Sequence, residues 1–260
     1  MKFENNLFAF MLLFVCISIN ASAQNEKTPP LNSEDWTILN VIDILDSLTV
    51  DSTTIFVNET WEEITATEYI EQYRFVKHEK TIFQHKENNT YAVKLSPLTN
   101  PLKMQMFQKS SERFQKVFDL NKQPAPAFEL TTLEGKVFKA TELKGKIIVL
   151  SFWFINCPPC IREMPELNEV FAKYKDNPDI IFLSYALDSK EKLKDFLTER
   201  TFEFHIGDKE NDMTAFQVAG YPTNFVIDQN GTIDLIIGGS QVKGVIKIVL
   251  EEKIDELLAK

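Results

Sequence analysis

The pattern of apolar and polar residues is most regular in the second half of the chain. Residues 147–154 and 180–187 are almost continuously apolar, as is typical of strands buried on both faces of a sheet. Between them, apolar residues recur at helical spacing from position 164 to 174, and a helix start is expected at Pro158 or Pro159. The pattern therefore predicts a strand, a helix and a second strand in succession.

Composition and turn residues predict the remaining elements of this half. They are short strands at 128–130 and 137–139, helices at 189–199 and 211–216, a hairpin of 223–227 with 232–237, and a closing helix at 242–258. The order from residue 147 is strand, helix, strand, helix, hairpin and helix. We therefore predict an α/β fold in which a mixed sheet carries helices on both faces.

The first half of the chain has a weaker pattern. It predicts a helix at 38–48, a strand at 53–57, a hairpin of 74–86 with 90–95, and a helix at 102–118. Residues 121–126, Asn-Lys-Gln-Pro-Ala-Pro, interrupt the periodicity and indicate a domain boundary. We expect a small α+β domain of unknown role over residues 24–120, followed by the α/β domain over residues 121–260.

The first 23 residues have the pattern of a signal peptide. Residues 7–19 form an apolar run that is shorter than the roughly 20 residues needed to span a bilayer. Ala21-Ser22-Ala23 fits a cleavage site, which would make Gln24 the mature N-terminus. Lipidation at Cys16 is an alternative, although a valine precedes it where a small residue is expected, and a buried N-terminal helix is another. We expect export, most simply to the periplasm.

Overall composition argues against one class of function, nucleic-acid binding. The net charge of −10 argues against a nucleic-acid partner, because a phosphate backbone attracts basic surfaces. Hydrophobic and charged fractions of 44% and 25% are ordinary for a soluble globular protein. Neither value predicts an oligomeric state.

The cysteines offer the main candidate chemistry. Cys157-Pro158-Pro159-Cys160 contains both cysteines of the predicted mature chain, and a disulfide between them closes a loop too short to restrict the unfolded chain much. Redox exchange in an oxidising compartment explains the pair better. Zinc would require about two further ligands. The only histidines are distant in sequence from this pair: His78, His85 and His205. We therefore predict no metal and no cofactor.

A series of motifs carries a family resemblance. They are Pro126-Ala127-Phe128-Glu129-Leu130, Leu143-Lys144-Gly145-Lys146, Phe152-Trp153, Cys157-Pro158-Pro159-Cys160, Glu163-Met164-Pro165, Gly220-Tyr221-Pro222-Thr223 and Phe225-Val226-Ile227-Asp228. Their order and spacing resemble the TlpA/ResA group of exported thiol-disulfide oxidoreductases. The resemblance implies a thioredoxin-like mixed sheet flanked by helices. In one departure, Asn156 stands where the group usually carries an aromatic residue, with Trp153 four positions ahead of Cys157, which leaves the choice of partner open.

The position of the pair at a helix start predicts a role for each cysteine. Unpaired N–H groups and the helix dipole favour a thiolate at Cys157, which we expect to attack the partner disulfide. Pro158 and Pro159 would stiffen the loop. Cys160, which we expect to be more buried, would then resolve the mixed disulfide. Glu163 lies on the same helix face and, by resemblance, acts near the cysteines; a solvated helix glutamate is the alternative.

Tyr221-Pro222-Thr223 forms a second predicted site element. The resemblance implies a cis Pro222 that faces the cysteines and presents the Tyr221 backbone to an extended partner segment. An ordinary trans proline at the start of an edge strand is the alternative. Trp153 is expected either to line the same site or to belong to the core.

We therefore predict an exported thiol-disulfide oxidoreductase whose partners are protein thiols and disulfides. The resemblance further suggests a reductant that is supplied by a membrane electron donor and acts on exported proteins, as in cytochrome c maturation. A thiol peroxidase is one alternative, although its Pro-x-x-x-Thr-x-x-Cys setting is missing here. A partner-binding module on a thioredoxin-like scaffold is another, although the intact Cys-Pro-Pro-Cys argues against a passive role.

Overall fold

The computed structural model describes residues 35–39, 50–51, 53–74, 78–87, 90–240 and 242–260. The predicted signal peptide, Cys16 and most of the predicted helix at 38–48 lie outside these ranges. At its start that helix prediction is wrong, because residues 36–39 form a strand that pairs with residues 82–85. Pairing with a distant strand overrides the local helical spacing. None of the helices in the described ranges is both long enough and apolar enough to cross a bilayer.

The first half of the described chain contains one mixed sheet and two helices. Its elements are β1 (Trp36–Leu39), β2 (Ile55–Val57), β3 (Glu63–Ile64), α1 (Ala66–Arg74), β4 (His78–His85), β5 (Tyr91–Pro97) and α2 (Pro101–Phe118). The strand order is β1-β4-β5-β2-β3, in which β2 runs parallel to β5 and the other neighbours are antiparallel. The structure confirms the predicted hairpin as β4–β5 and the predicted long helix as α2.

The second half forms the predicted thioredoxin-like sheet. Its elements are β6 (Glu129–Thr131), β7 (Val137–Lys139), β8 (Ile147–Trp153), α3 (Pro158–Tyr174), β9 (Ile180–Ala186), α4 (Lys190–Glu199), β10 (His205–Gly207), β11 (Thr223–Ile227), β12 (Ile233–Gly238) and α5 (Val245–Leu258). The order is β10-β9-β8-β11-β12; β8, β9 and β10 are parallel, and β11 and β12 are antiparallel to their neighbours. Strand β10 was not predicted, and the predicted helix at 211–216 is reduced to one 3₁₀ turn at Thr214–Phe216.

Strand β8 lies at the centre of this sheet, and its side chains enter two hydrophobic cores on opposite faces. Ile147 and Val149 belong to the core that contains the inner faces of α3 and α5. Ile148, Leu150 and Phe152 belong to the other core. Every residue of β8 is buried, and all of them except Ser151 are apolar, so the strand does not alternate between apolar and polar residues. This run explains why the strand was recognisable in the sequence.

The first half of the chain packs against both faces of this sheet. Phe56 and Tyr69 belong to the core on the α5 side, whereas Val117 of α2 belongs to the opposite core. The Glu252 carboxylate of α5 accepts hydrogen bonds from the Thr67 N–H at 2.9 Å and from the Ala66 N–H at 3.2 Å. Glu252 therefore satisfies the unpaired first turn of α1 and ties it to α5.

Candidate active site

Cys157 and Cys160 form a disulfide at the start of α3, beyond the carboxyl end of β8. Cys157 is the N-cap residue, and its Sγ accepts a hydrogen bond from the Cys160 N–H at 3.3 Å. Pro158 and Pro159 fill the first two helical positions, where a missing N–H costs nothing. The local sequence thus places a sulfur atom at a helix N-terminus, where the dipole and the unpaired N–H groups favour a thiolate after reduction.

Both cysteines are 2% exposed, so the prediction that Cys160 is the more buried of the two is wrong for this disulfide-bonded state. The loop before Cys157 is held against the sheet, because the Ile155 N–H donates to the Asp188 carboxylate at 2.8 Å. Both cysteines consequently join the apolar core on the α3 side. The neighbouring Asn156 and Pro158 are exposed, and their contact with a partner stays a prediction.

Glu163 is buried one turn after Cys160. Its side chain is 4% exposed, and its Oε1 accepts a hydrogen bond from the Asn224 side-chain amide. Burial raises the pKa of Glu163 from the ordinary 4.5 to about 8; the charge of Glu166 adds to this increase and the Asn224 bond opposes it. The alternative of a solvated helix glutamate is therefore wrong. A part for Glu163 in the chemistry stays a prediction.

Asn224 is the site residue that sequence reasoning missed. It is fully buried at the second position of β11, on the side of the sheet where Glu163 lies. Neither the Glu163 Oε2 nor the Asn224 Oδ1 has a hydrogen-bond partner in the described part of the chain. A signal was present in the sequence: Asn224 stands two residues after the predicted cis proline and is followed by the apolar residues 225–227 of the same strand.

The Tyr221–Pro222 peptide bond is cis, which confirms that prediction. A Cβ atom added at Gly239 would lie 2.8 Å from the Pro222 Cδ and 3.7 Å from the Glu163 Oε2. The proline ring, the buried carboxyl group and the backbone after β12 are therefore immediate neighbours. The Thr223 Oγ1–H donates to the Gly220 carbonyl at 2.8 Å, so this buried hydroxyl supports the turn.

The two aromatic candidates lie in different environments. Trp153 is 1% exposed, and its indole N–H donates to the Ser184 hydroxyl at 3.3 Å. Its ring packs against Phe196 within the core, so the structure places Trp153 behind the site and not on a surface that a partner could reach. Tyr221 is half-buried and stacks edge-on with Phe154 at 5.5 Å; burial raises its pKa.

The histidines do not join this site. His78 and His85 are the end residues of β4, and His205 begins β10. Across the ranges that the structure describes, no three His, Cys, Asp or Glu side chains form a group suited to a metal ion. The residues that the structure does bring together are the disulfide, Glu163, Asn224 and the cis proline.

Comparisons with known proteins find relatives of the second half of the chain. The AhpC/TSA family matches residues 122–236. Thiol-disulfide oxidoreductase ResA of Bacillus thuringiensis subsp. konkukian is 34% identical over 138 residues, which are 52% of this chain and 75% of the relative. ResA of Geobacillus thermodenitrificans is 37% identical over 130 residues, which are 49% of this chain and 74% of the relative.

Among solved structures, a thioredoxin-family thiol:disulfide interchange protein from Chlorobium tepidum matches at 28% identity and a TM-score of 0.43, over 49% of this chain and 94% of that one. The residues before position 122 lie outside the AhpC/TSA match. The chain covers three quarters of the ResA relative at more than 30% identity. It therefore belongs to the TlpA/ResA-like family of thioredoxin-fold thiol-disulfide oxidoreductases.

Proposed function

We propose that the chain is an exported enzyme that reduces disulfides in protein partners through Cys157 and Cys160. One observation carries this proposal: the two sulfurs are bonded to each other at the N-terminus of α3, where the Cys157 Sγ accepts the Cys160 N–H. A helix N-terminus favours the thiolate that disulfide exchange requires. The cis Pro222 and the buried Glu163 are both neighbours of Gly239 in the same site.

The reaction proceeds in two exchanges. In the reduced enzyme, the Cys157 thiolate attacks one sulfur of the partner disulfide; the partner S–S bond breaks, a mixed disulfide forms and one partner thiolate leaves. The Cys160 thiolate then attacks the Cys157 Sγ. The enzyme disulfide forms and the second partner thiolate leaves. Two electrons pass from the enzyme dithiol to the partner, and an external donor must restore them.

Glu163 is proposed as the group that exchanges a proton with Cys160. The two residues are three positions apart on α3 and so share a helix face. The Glu163 carboxyl has a pKa raised to about 8, close to the value of about 8.5 for an ordinary thiol. A base and an acid of similar pKa exchange a proton efficiently near neutral pH. Glu163 would therefore accept the Cys160 proton as Cys160 attacks.

The finer parts of the proposal rest on sequence and family resemblance. The apolar run at residues 7–19 and the Ala21-Ser22-Ala23 site support export with cleavage near Gln24, and the periplasm as the destination. The resemblance supports a reductant that is supplied by a membrane electron donor and acts in cytochrome c maturation. We also propose that residues 24–120 and 121–260 are separate domains, with the redox chemistry in the second.

The reduction potential tests the direction of electron flow. Equilibration with glutathione should give a potential between about −270 and −200 mV, the range of thioredoxin and the glutaredoxins. A potential near that of DsbA, about −120 mV, would refute the reductant role.

Trapping tests the assignment of the two cysteines. Cys160→Ala should accumulate mixed disulfides with protein partners at Cys157, whereas Cys157→Ala should accumulate none. Equal trapping by both variants would refute the assigned roles. Peroxide-dependent turnover by Cys160→Ser would instead favour the peroxidase alternative. An unchanged biological role after substitution of both cysteines by serine would favour the binding-module alternative.

A further inference from the structure

An open groove of about 430 Å³ lies beside the cis proline. This volume is within the range of about 300–1,000 Å³ typical of ligand pockets. Four parts of the chain line it: the end of α2, the start of α3, the cis-proline turn and residues 238–240 at the end of β12. The lining residues that matter here are Phe114, Val117, Phe118, Pro159, Arg162 and Tyr221. Pro159, which directly precedes Cys160, lines the groove, so the groove borders the loop that carries the redox pair.

The α2 wall of the groove is fixed to the thioredoxin-like sheet. Val117 is 1% exposed and belongs to the core on that side of the sheet. A Cβ atom at Gly220 would overlap the Phe114 ring, so this ring rests directly on the backbone before the cis proline. Just after α2, the Lys122 N–H donates to the Ile233 carbonyl of β12 at 2.7 Å. The α2 wall is therefore held in place by the packing of its own side chains and by a backbone hydrogen bond of the segment that follows it.

This wall is contributed by a part of the chain that the family match does not cover. Phe114, Val117 and Phe118 all precede residue 122, where the AhpC/TSA match begins. The cis-proline turn and the start of α3 lie within the matched range. The groove thus combines family elements with a wall specific to the first half of this chain.

The groove has one charge. Among its described lining residues, Arg162 is the only one with a charged side chain, and the lining contains no carboxylate. No ion pair within the described ranges includes Arg162. An unpaired guanidinium beside aromatic side chains suits a carboxylate flanked by an apolar side chain. The surrounding protein has a net charge of −10, so this preference is local to the groove.

We propose that the groove binds an extended segment of the disulfide-bearing partner protein. The segment places an apolar side chain against Phe114 and Phe118 and a carboxylate beside Arg162, while its cysteine reaches Cys157. This assignment rests on the proposed function, and it gives the end of α2 a role in partner choice. Affinity would come from the apolar contact, and the charge would select among partners.

Short peptides can test this assignment. Each peptide carries one cysteine as a mixed disulfide with 2-mercaptoethanol, and reduced enzyme converts it to the free peptide thiol, 2-mercaptoethanol and oxidised enzyme. The reference peptide has Leu and Glu next to the cysteine; in two others, Lys replaces Glu or Ala replaces Leu. Bis(2-hydroxyethyl) disulfide, which has no segment to fill the groove, reports the exchange chemistry alone.

We expect the wild type to reduce the Glu peptide about fivefold faster than the Lys peptide, as for a partly exposed charge pair. Arg162→Glu should reverse that preference. Lys144→Glu makes the same change of charge at the exposed turn before β8, at the sheet edge opposite the cysteines, and should leave the preference intact. Phe118→Ala should slow the Leu peptide about tenfold and leave the Ala peptide unchanged.

The outcomes separate the two proposals. If bis(2-hydroxyethyl) disulfide is reduced but the peptides react equally, the groove assignment is refuted and the proposed function stands. A preference for the Lys peptide would also refute it, since the net charge of −10 alone would produce that result. If no disulfide in the set is reduced, the proposed function itself fails.

Discussion

Replacing Glu163 by Gln should change how the stability of the protein depends on pH. Glu163 is 4% exposed and accepts a hydrogen bond from the Asn224 side-chain amide. Glutamine keeps the size of the side chain and the oxygen that accepts this bond. The substitution therefore removes the ionisation and preserves the packing. Any change in pH dependence then reports the titration of this single carboxyl group.

The magnitude follows from the raised pKa. A carboxyl group whose pKa is about 8 in the folded protein and 4.5 when unfolded binds its proton more tightly in the folded state. Its contribution is complete below pH 4.5 and is lost as the pH rises through about 8. At 1.36 kcal/mol per pKa unit, the wild type should lose about 4 kcal/mol relative to Glu163→Gln between pH 5 and pH 8.5.

Urea unfolding of the oxidised proteins at a series of pH values measures this difference, because the disulfide prevents the cysteines from titrating. Glu166, whose pKa is also raised by burial, is present in both proteins, so only its electrostatic coupling to Glu163 enters the difference. Glu169→Gln is the matched control on the same helix; its side chain is 60% exposed and pairs with Lys247. If wild type and Glu163→Gln lose stability in parallel from pH 5 to pH 8.5, the buried-carboxyl argument is wrong.

Two further substitutions test contacts around the site. Gly239→Ala should slow reduction of bis(2-hydroxyethyl) disulfide about tenfold, because the added Cβ would lie 2.8 Å from the Pro222 ring. In the control Gly238→Ala the added Cβ meets nothing within 4 Å, so the rate should stay unchanged. Equal rates for the two variants would contradict this expectation. Glu252→Ala should lower the free energy of unfolding by about 1 kcal/mol in urea titrations, because α1 loses the carboxylate that receives the Thr67 N–H. An unchanged unfolding free energy would show that water replaces this cap at no cost.

The second half of the chain was predictable because its elements are buried in ways that leave a local pattern. Strand β8 is buried at every position and apolar at all but Ser151, and α3 begins at two prolines that suit a helix N-terminus. The cis bond before Pro222 was expected from the neighbouring motif and the family resemblance, since sequence propensity alone favours trans. These features depend on residues close together in the chain.

The misses have a common physical cause. Residues 38 and 39 begin a run of helical spacing but belong to a strand that pairs with residues about 45 positions later. The loop before the buried Cys157 is hydrogen-bonded through Ile155 to Asp188, 33 positions along the chain. The partnership of Glu163 with Asn224 joins residues 61 positions apart. No local pattern specifies such contacts. Each partner, considered alone, looks like an ordinary polar residue or an ordinary apolar residue at helical spacing.

The same reasoning explains why the first half of the chain gave no functional signal. Its contribution lies in where it packs: α1 is capped by Glu252 of α5, and Phe114 rests on Gly220 beside the cis proline. These contacts lie on opposite faces of the thioredoxin-like sheet, because Val117 and Tyr69 belong to different cores. Anchoring at two such places would hold α2 beside the groove while the proposed partner segment binds. In that case the disulfide chemistry resides in the family elements, and the choice of partner depends on a helix outside them.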